Sequence, residues 1–235
     1  MFVIQMKVGR MENFVYLLGE PVAREGLVVD SGWEIQPILE AAESVRTRIK
    51  YVVATHGHFD HTMTLHELAE KCGAEVLIHE NSSLEGGRRL RGDDLISVGE
   101  GSVRVIYTPG HTEDSICLYD GKNLLTGDTL FIGGWGRTDL PGGSSEKLFA
   151  SLHGSIMKLP DTTVIYPGHD YGRVTHRALG EEARNNKGPD RFRRGLVGRL
   201  VANFSAYTTT TAQRCESLLR SWPATKNAAD TLTRD

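Results

Sequence analysis

The sequence predicts an α/β layered fold with two β-sheets, and three observations lead there. Short runs rich in β-branched and aromatic residues dominate the first half of the chain. Patches with helical apolar spacing come between them, the pattern of a layered α/β domain. The strand-like runs also cluster at both ends of the first half, which favours two sheets over a single doubly wound one. At 235 residues, with 39% apolar and 24% charged side chains, the chain can bury a sizeable core and stay in solution.

The elements follow in order. Residues 2–8, 14–18 and 27–29 read as strands, and residues 35–45 as a helix with apolar side chains at 35, 38, 39, 42 and 45. Residues 51–54 form a strand. Residues 62–71 form a helix with Leu65, Leu68 and Ala69 on one face, and residues 75–78 a further strand. Strands at 103–107, 115–119 and 124–125 come next, the last two joined by an Asp120-Gly121 hairpin turn. The clearest helix spans residues 144–159. Ser144 is its N-cap, Leu148, Phe149, Leu152, Ile156 and Leu159 form its apolar face, and Pro160 follows it. Residues 163–165 complete the strands. We expect a catalytic domain over residues 1–186 and a C-terminal extension over residues 187–235, helical or partly disordered, where apolar periodicity weakens. Its basic run of Arg191, Arg193, Arg194 and Arg199 reads as a solvated face.

Bulk properties narrow the function. A net charge of −3 gives no reason to expect nucleic acid or an anionic membrane as a partner. Cys72, Cys117 and Cys215 lie far apart and in no C-x-x-C pattern, which fits a reducing compartment. No apolar run is long enough to span a bilayer, and residues 1–10 read as a strand rather than a signal peptide. The expected setting is the cytoplasm and the expected partner a small-molecule substrate. A homo-oligomer is compatible with the sequence.

Residues 55–61 carry the chemistry: Thr-His-Gly-His-Phe-Asp-His, with His56, His58 and His61 among only nine histidines in the chain. Imidazole is the commonest protein metal ligand, and it suits zinc and iron. Later candidates recur in glycine-bearing turns after strands: Pro109-Gly110-His111-Thr112, Thr126-Gly127-Asp128-Thr129 and Pro167-Gly168-His169-Asp170-Tyr171. Glycine lets the backbone turn sharply, and loops at strand ends are where a rigid sheet presents functional groups. Thr55 and Thr112 read as turn residues or as partners of ligating histidines. His66, His79, His153 and His176 read as surface or packing residues.

In this order and at these separations, the motifs resemble the metallo-β-lactamase superfamily over about residues 1–186. The resemblance implies an αββα sandwich of two mixed β-sheets flanked by helices, with metals in a cleft at the sheet edge. It implies one metal on His56, His58 and His111, a second on Asp60, His61 and His169, and Asp128 bridging them. It thus implies two divalent ions, zinc or zinc with iron, and a metal-bound hydroxide that Asp60 orients, with Asp60 and the bridging Asp128 as the catalytic candidates.

The motifs leave the reaction open. Gly57-His58-Phe59 resembles the thioester hydrolases of the glyoxalase II type, whereas dioxygenases of the superfamily tend to carry Cys and Ala at positions 57 and 59. Gly136-Arg137-Thr138-Asp139 and Asp170-Tyr171, with Glu181, Glu182, Arg184 and Asn185 following, resemble the persulfide dioxygenases. Those would use a single iron on His56, His111 and Asp128. The primary expectation is hydrolysis of a thioester such as a hydroxyacylglutathione, with persulfide dioxygenase the alternative, lactonase below both, and a non-catalytic metal-binding scaffold the different class. Arg137 is a candidate for holding a substrate carboxylate or for pairing with Asp139. Tyr171 is a candidate for donating a hydrogen bond near the metal or for packing.

Overall fold

The computed structural model describes residues 1–186, so the expectations for residues 187–235 lie outside the described residues. One sheet contains β1 (Phe2–Val8), β2 (Asn13–Glu20), β3 (Glu25–Val29), β4 (Arg48–Val53), β5 (Glu75–His79) and β6 (Arg88–Leu90), hydrogen-bonded in that order. Its first two pairings are antiparallel and its last three parallel. The second sheet contains β7 (Leu95–Val98), β8 (Gly101–Tyr107), β9 (Ile116–Tyr119), β10 (Asn123–Gly127), β13 (Val164–Pro167) and β14 (Arg177–Ala178), and is also mixed. A small hairpin, β11 (Leu130–Phe131) with β12 (Gly134–Trp135), follows β10.

Strand β2 shows why two sheets form. Its residues are all buried, so it lacks the in-and-out alternation of a half-solvated strand. Phe14, Tyr16 and Leu18 face Ile96, Val103, Val105, Ile116 and Leu118 of the other sheet. Val15 and Leu17 face the opposite way, toward α1 (Gln36–Ser44) and α3 (Leu65–Cys72), where Ile38, Leu65 and Leu68 cover the sheet. On the far side, α4 (Ser145–Gly154) sets Leu148 and Leu152 against Ile106, Cys117 and Leu124. The result is the αββα sandwich, with an apolar layer between the sheets and one under each helical cover.

Several predicted elements change. The helix expected at residues 62–71 is two pieces, α2 (Phe59–Thr62) and α3, and Gly73 closes the second at φ +61. The helix expected over residues 144–159 ends at Gly154 and continues as a 3-10 turn, Ile156–Lys158. Its cap is as expected: the Ser144 side chain accepts from the Lys147 backbone N–H at 3.3 Å. Phe149, assigned to its buried face, is only half-buried. His176 precedes β14 and stacks on Tyr166. Helix α5 (Leu179–Asn185) ends the described chain.

Candidate metal centre

Five strands end at one edge of the sandwich, and each delivers a polar group just past its last residue. Asp30 follows β3, the 54–61 segment follows β4, His111 follows β8, Asp128 follows β10 and His169 follows β13. The seven residues expected as ligands come together there in three overlapping groups: His56, His58 and His111; His56, His61 and Asp128; and Asp60, His61 and His169. Within each group the donor atoms lie within 4.8 Å of one another. All but His58 are buried.

Hydrogen bonds on the outer nitrogens set which way the imidazoles point. His61 Nδ1–H donates to Asp30 Oδ2 at 3.0 Å, His111 Nδ1–H to the Arg137 carbonyl at 2.8 Å, and His169 Nδ1–H to the Met11 carbonyl at 2.8 Å. The Thr55 hydroxyl donates to Asp30 Oδ2 at 2.8 Å, leaving its lone pair to accept from His56 Nδ1–H at 3.1 Å. A neutral imidazole that donates from one nitrogen carries a lone pair on the other. Four Nε2 lone pairs therefore face inward. His61 and His169 oppose each other at 3.1 Å, and His58 Nδ1 lies 3.0 Å from both His56 Nε2 and His111 Nε2.

Lone pairs so close repel unless a cation lies between them, and this donor set fits metal ions. Asp128 makes the same case. Its Oδ1 is buried and has no hydrogen-bond partner, and its two oxygens lie 3.3–3.5 Å from the inner nitrogens of His61, His111 and His169. A buried carboxylate oxygen left bare would be costly, and a metal would complete it.

The charges respond to this crowding. Burial, reinforced by His61, holds His56 well below the ordinary histidine range. Burial would also lower His61, but Asp128, Asp30 and Asp60 outweigh it and raise its pKa to about 9. Burial would raise Asp128, yet His61 and His169 hold it far below the usual carboxylate range. At neutral pH a proton on His61 does what a metal does when bound, neutralising the facing lone pairs and the carboxylates.

Two glycines allow the approach. A Cβ at Gly168 would overlap Asp128 Oδ1, and one at Gly136 would overlap the Asp128 carbonyl oxygen and lie 2.9 Å from His111 Nδ1. Gly136 thus lets the 134–137 segment press against His111 and offer it the Arg137 carbonyl.

Some contributors were not apparent in the sequence. Asp30, at φ +61, accepts from the Thr55 backbone N–H at 2.7 Å as well as from Thr55 Oγ1 and His61. Asn13 donates to Asp60 Oδ2 at 2.9 Å and accepts from Trp33 Nε1 at 2.8 Å, so a three-residue chain aims the Asp60 carboxylate. A polar residue just past a strand was the only available signal for Asp30. None pointed to Asn13 or Trp33. Thr55 does partner His56, whereas Thr112 bonds Asp114 and Ser115 within its own turn.

Arg137 and Tyr171 both line a cavity of about 390 Å³ that opens onto His111 and Asp128. The Arg137 guanidinium forms a two-pronged bond with Asp139 at 2.7 Å on each arm. Tyr171 stacks on His169, with ring centroids 4.7 Å apart. His79 is packing, as expected, buried and stacked on Tyr107. No helix among the described residues is long and apolar enough to cross a membrane.

Comparison with known proteins agrees with this geometry. Residues 8–169 match the family profile described as the metallo-beta-lactamase superfamily. The "Probable polyketide biosynthesis zinc-dependent hydrolase PksB" of Bacillus subtilis (strain 168) is 28% identical over 180 residues, covering 74% of this chain and 80% of that protein. The mitochondrial persulfide dioxygenase ETHE1 of Homo sapiens is 33% identical over 186 residues, covering 74% of this chain and 70% of its own. The crystal structure of ETHE1 from Myxococcus xanthus superposes with a TM-score of 0.76 at 33% identity, covering 80% of this chain and 84% of that one.

Proposed function

This chain belongs to the metallo-β-lactamase superfamily, and from that premise we propose that it is a metal-dependent hydrolase of thioesters, of the kind exemplified by a hydroxyacylglutathione. One observation carries the reading: two separate sets of imidazole nitrogens face each other at 3.0–3.1 Å, with the bare Asp128 oxygen nearby. That arrangement suits two cations better than one. His56, His58 and His111 would hold the first, Asp60, His61 and His169 the second, and Asp128 would touch both. Zinc, or zinc with iron, would supply a Lewis acid for the thioester carbonyl and bring a bound water's pKa to about 7.

The chain's own residues do the rest. Asp60, aimed by Asn13, accepts a hydrogen bond from the attacking water and so orients it toward the carbonyl carbon. Asp128, kept ionised by its histidine neighbours, balances positive charge in the centre. Tyr171 and Arg137 line the approach, the position from which each would contact the substrate. Free thiols at Cys72 and Cys117 accord with a reducing compartment such as the cytoplasm.

A second reading has its own support. His56, His111 and Asp128 are two histidines and a carboxylate, the ligand type of mononuclear iron oxygenases. The persulfide dioxygenase relatives are also the ones at 33% identity. Metal analysis of protein purified without added metal separates the two. Two equivalents of metal with thioester cleavage support hydrolysis. One equivalent of iron, with oxygen consumed in the presence of glutathione persulfide, overturns it in favour of dioxygenation.

A further inference from the structure

The cavity beside His111 and Asp128 continues away from the metal-facing atoms along Phe131, Ile132, Gly134, Trp135 and Tyr171. Its volume of about 390 Å³ lies within the roughly 300–1,000 Å³ typical of small-molecule sites. We propose that this cavity receives the acyl group of the substrate and selects for apolar acyl chains, with Gly134 and Trp135 setting how long a chain fits. The proposal rests on the thioester reading and adds the half of the substrate that reading leaves open.

The wall is apolar and built in advance. Phe131 and Ile132 are buried, and the hairpin pairs Leu130 with Trp135 and Phe131 with Gly134. From behind, the fully buried Glu182 accepts from the Gly133 backbone N–H at 2.6 Å with one oxygen and from Arg177 at 3.1 Å with the other. Asn186 Nδ2 donates to the Gly134 carbonyl at 3.2 Å. An ion pair with a buried carboxylate and two backbone anchors thus hold the 131–135 segment.

Charge and polarity decide which half of a thioester enters. Apart from Asp128, the only charged group on this wall among the described residues is Arg137, whose guanidinium is already bound to Asp139. A thiol carrier rich in amides, such as glutathione or pantetheine, would lose hydrogen bonds against Phe131, Ile132 and Trp135. An alkyl or aryl acyl group loses none and removes apolar surface from water.

Gly134 gives a clean probe. Its backbone needs no positive φ, and a Cβ built there meets no atom of the described residues within 4 Å, so a larger side chain has room. The test uses zinc-loaded protein and N-acetylcysteamine thioesters with acetyl, butyryl and hexanoyl groups. In the wild type kcat/KM is expected to rise about fourfold per added methylene until the cavity is full, the ~0.8 kcal/mol of a buried methylene expressed as a rate ratio. In Gly134→Leu the hexanoyl-to-acetyl ratio is expected to fall at least tenfold, mainly through KM. In Trp135→Ala the most-favoured chain length is expected to increase, which keeps the test alive if the leucine variant misfolds.

Cleavage that is indifferent to acyl length, or that follows the length of an alkyl thiol instead, overturns the acyl assignment and leaves the thioester reading standing. If no thioester is cleaved, the thioester reading fails, and the cavity is then judged by calorimetric binding of hexanoate against acetate to metal-free protein. Tighter hexanoate binding that Gly134→Leu abolishes supports an apolar cavity, and equal binding overturns it.

Discussion

His61 Nε2 and His169 Nε2 face each other at 3.1 Å, each turned there by a hydrogen bond from its other nitrogen, to Asp30 and to the Met11 carbonyl. Both rings were brought to that distance by strands far apart in the chain. A positive charge between them, proton or metal, is what makes the contact favourable.

The first prediction concerns pH. In metal-free protein, burial lowers the His61 pKa, but the three carboxylates around it bring it to about 9, against about 6.5 in the unfolded chain. A pKa raised by folding stabilises the protein fully below the unfolded value and ceases to do so as pH rises through the folded one. Thermal unfolding of the metal-free protein should therefore show Tm falling between pH 6.5 and 9. The metal-loaded protein should show no such fall, because the metal needs the deprotonated ring. A flat metal-free profile over that window would contradict the proton's role.

Asp30 orients His61 without being among the expected ligands. Asp30→Asn keeps the size and tolerates the positive φ, but loses one acceptor toward Thr55 and His61. Metal affinity at the Asp60, His61 and His169 group should weaken about 10–100-fold, as when a ligating histidine loses its carboxylate partner. Titration with a competing chelator measures this, and unchanged affinity would remove Asp30 from the site.

Gly168 is predicted to matter through space alone. In Gly168→Ala the new methyl would collide with Asp128 Oδ1 and lie 3.0 Å from His61 Cε1. Metal content by elemental analysis should fall and activity drop by at least tenfold, while circular dichroism stays that of the folded protein.

Glu182 anchors the cavity wall. Glu182→Ala leaves the Gly133 N–H without its acceptor and Arg177, which is partly exposed, paired with Glu181 alone among the described residues. Losing that acceptor, a buried carboxylate, costs about 1–3 kcal/mol, and urea unfolding should show a midpoint lowered to match. Retained stability would mean that the 131–135 loop holds itself.

Much of the fold was legible because apolar runs report burial directly. Strand β1 has the predicted limits, and β2 to β5, β8 to β10 and β13 differ from theirs by a few residues at most. Strands β6 and β7 escaped because Arg88-Arg89-Leu90 and Leu95-Ile96-Ser97-Val98 are short and each keeps a residue-by-residue share of exposed side chains. Both lie at sheet edges, where exposed side chains are tolerated, and in β6 the exposed pair is charged. The break between α2 and α3 was hidden for another reason. Met63 and Thr64 fit a helical pattern, and it is the packing of Thr64 against Ser31, at 2.7 Å between their hydroxyls, that accompanies the break.

By itself the sequence carried two things: strand-like and helix-like runs that predict a layered fold with two sheets, and motifs whose resemblance to the metallo-β-lactamase superfamily implied the family and the seven side chains that could hold metal. Tertiary structure decided what those side chains lean on. Asp30, Asn13, Trp33 and Glu182, and the carbonyls of Met11 and Arg137, were chosen by proximity across the fold, and a carbonyl carries no mark in a sequence. The same holds for the cavity. Ile132 is core and Trp135 packs against the same cluster, and only the folding of the 131–135 hairpin over Glu182 made them, with Phe131, a wall beside His111 and Asp128 as well.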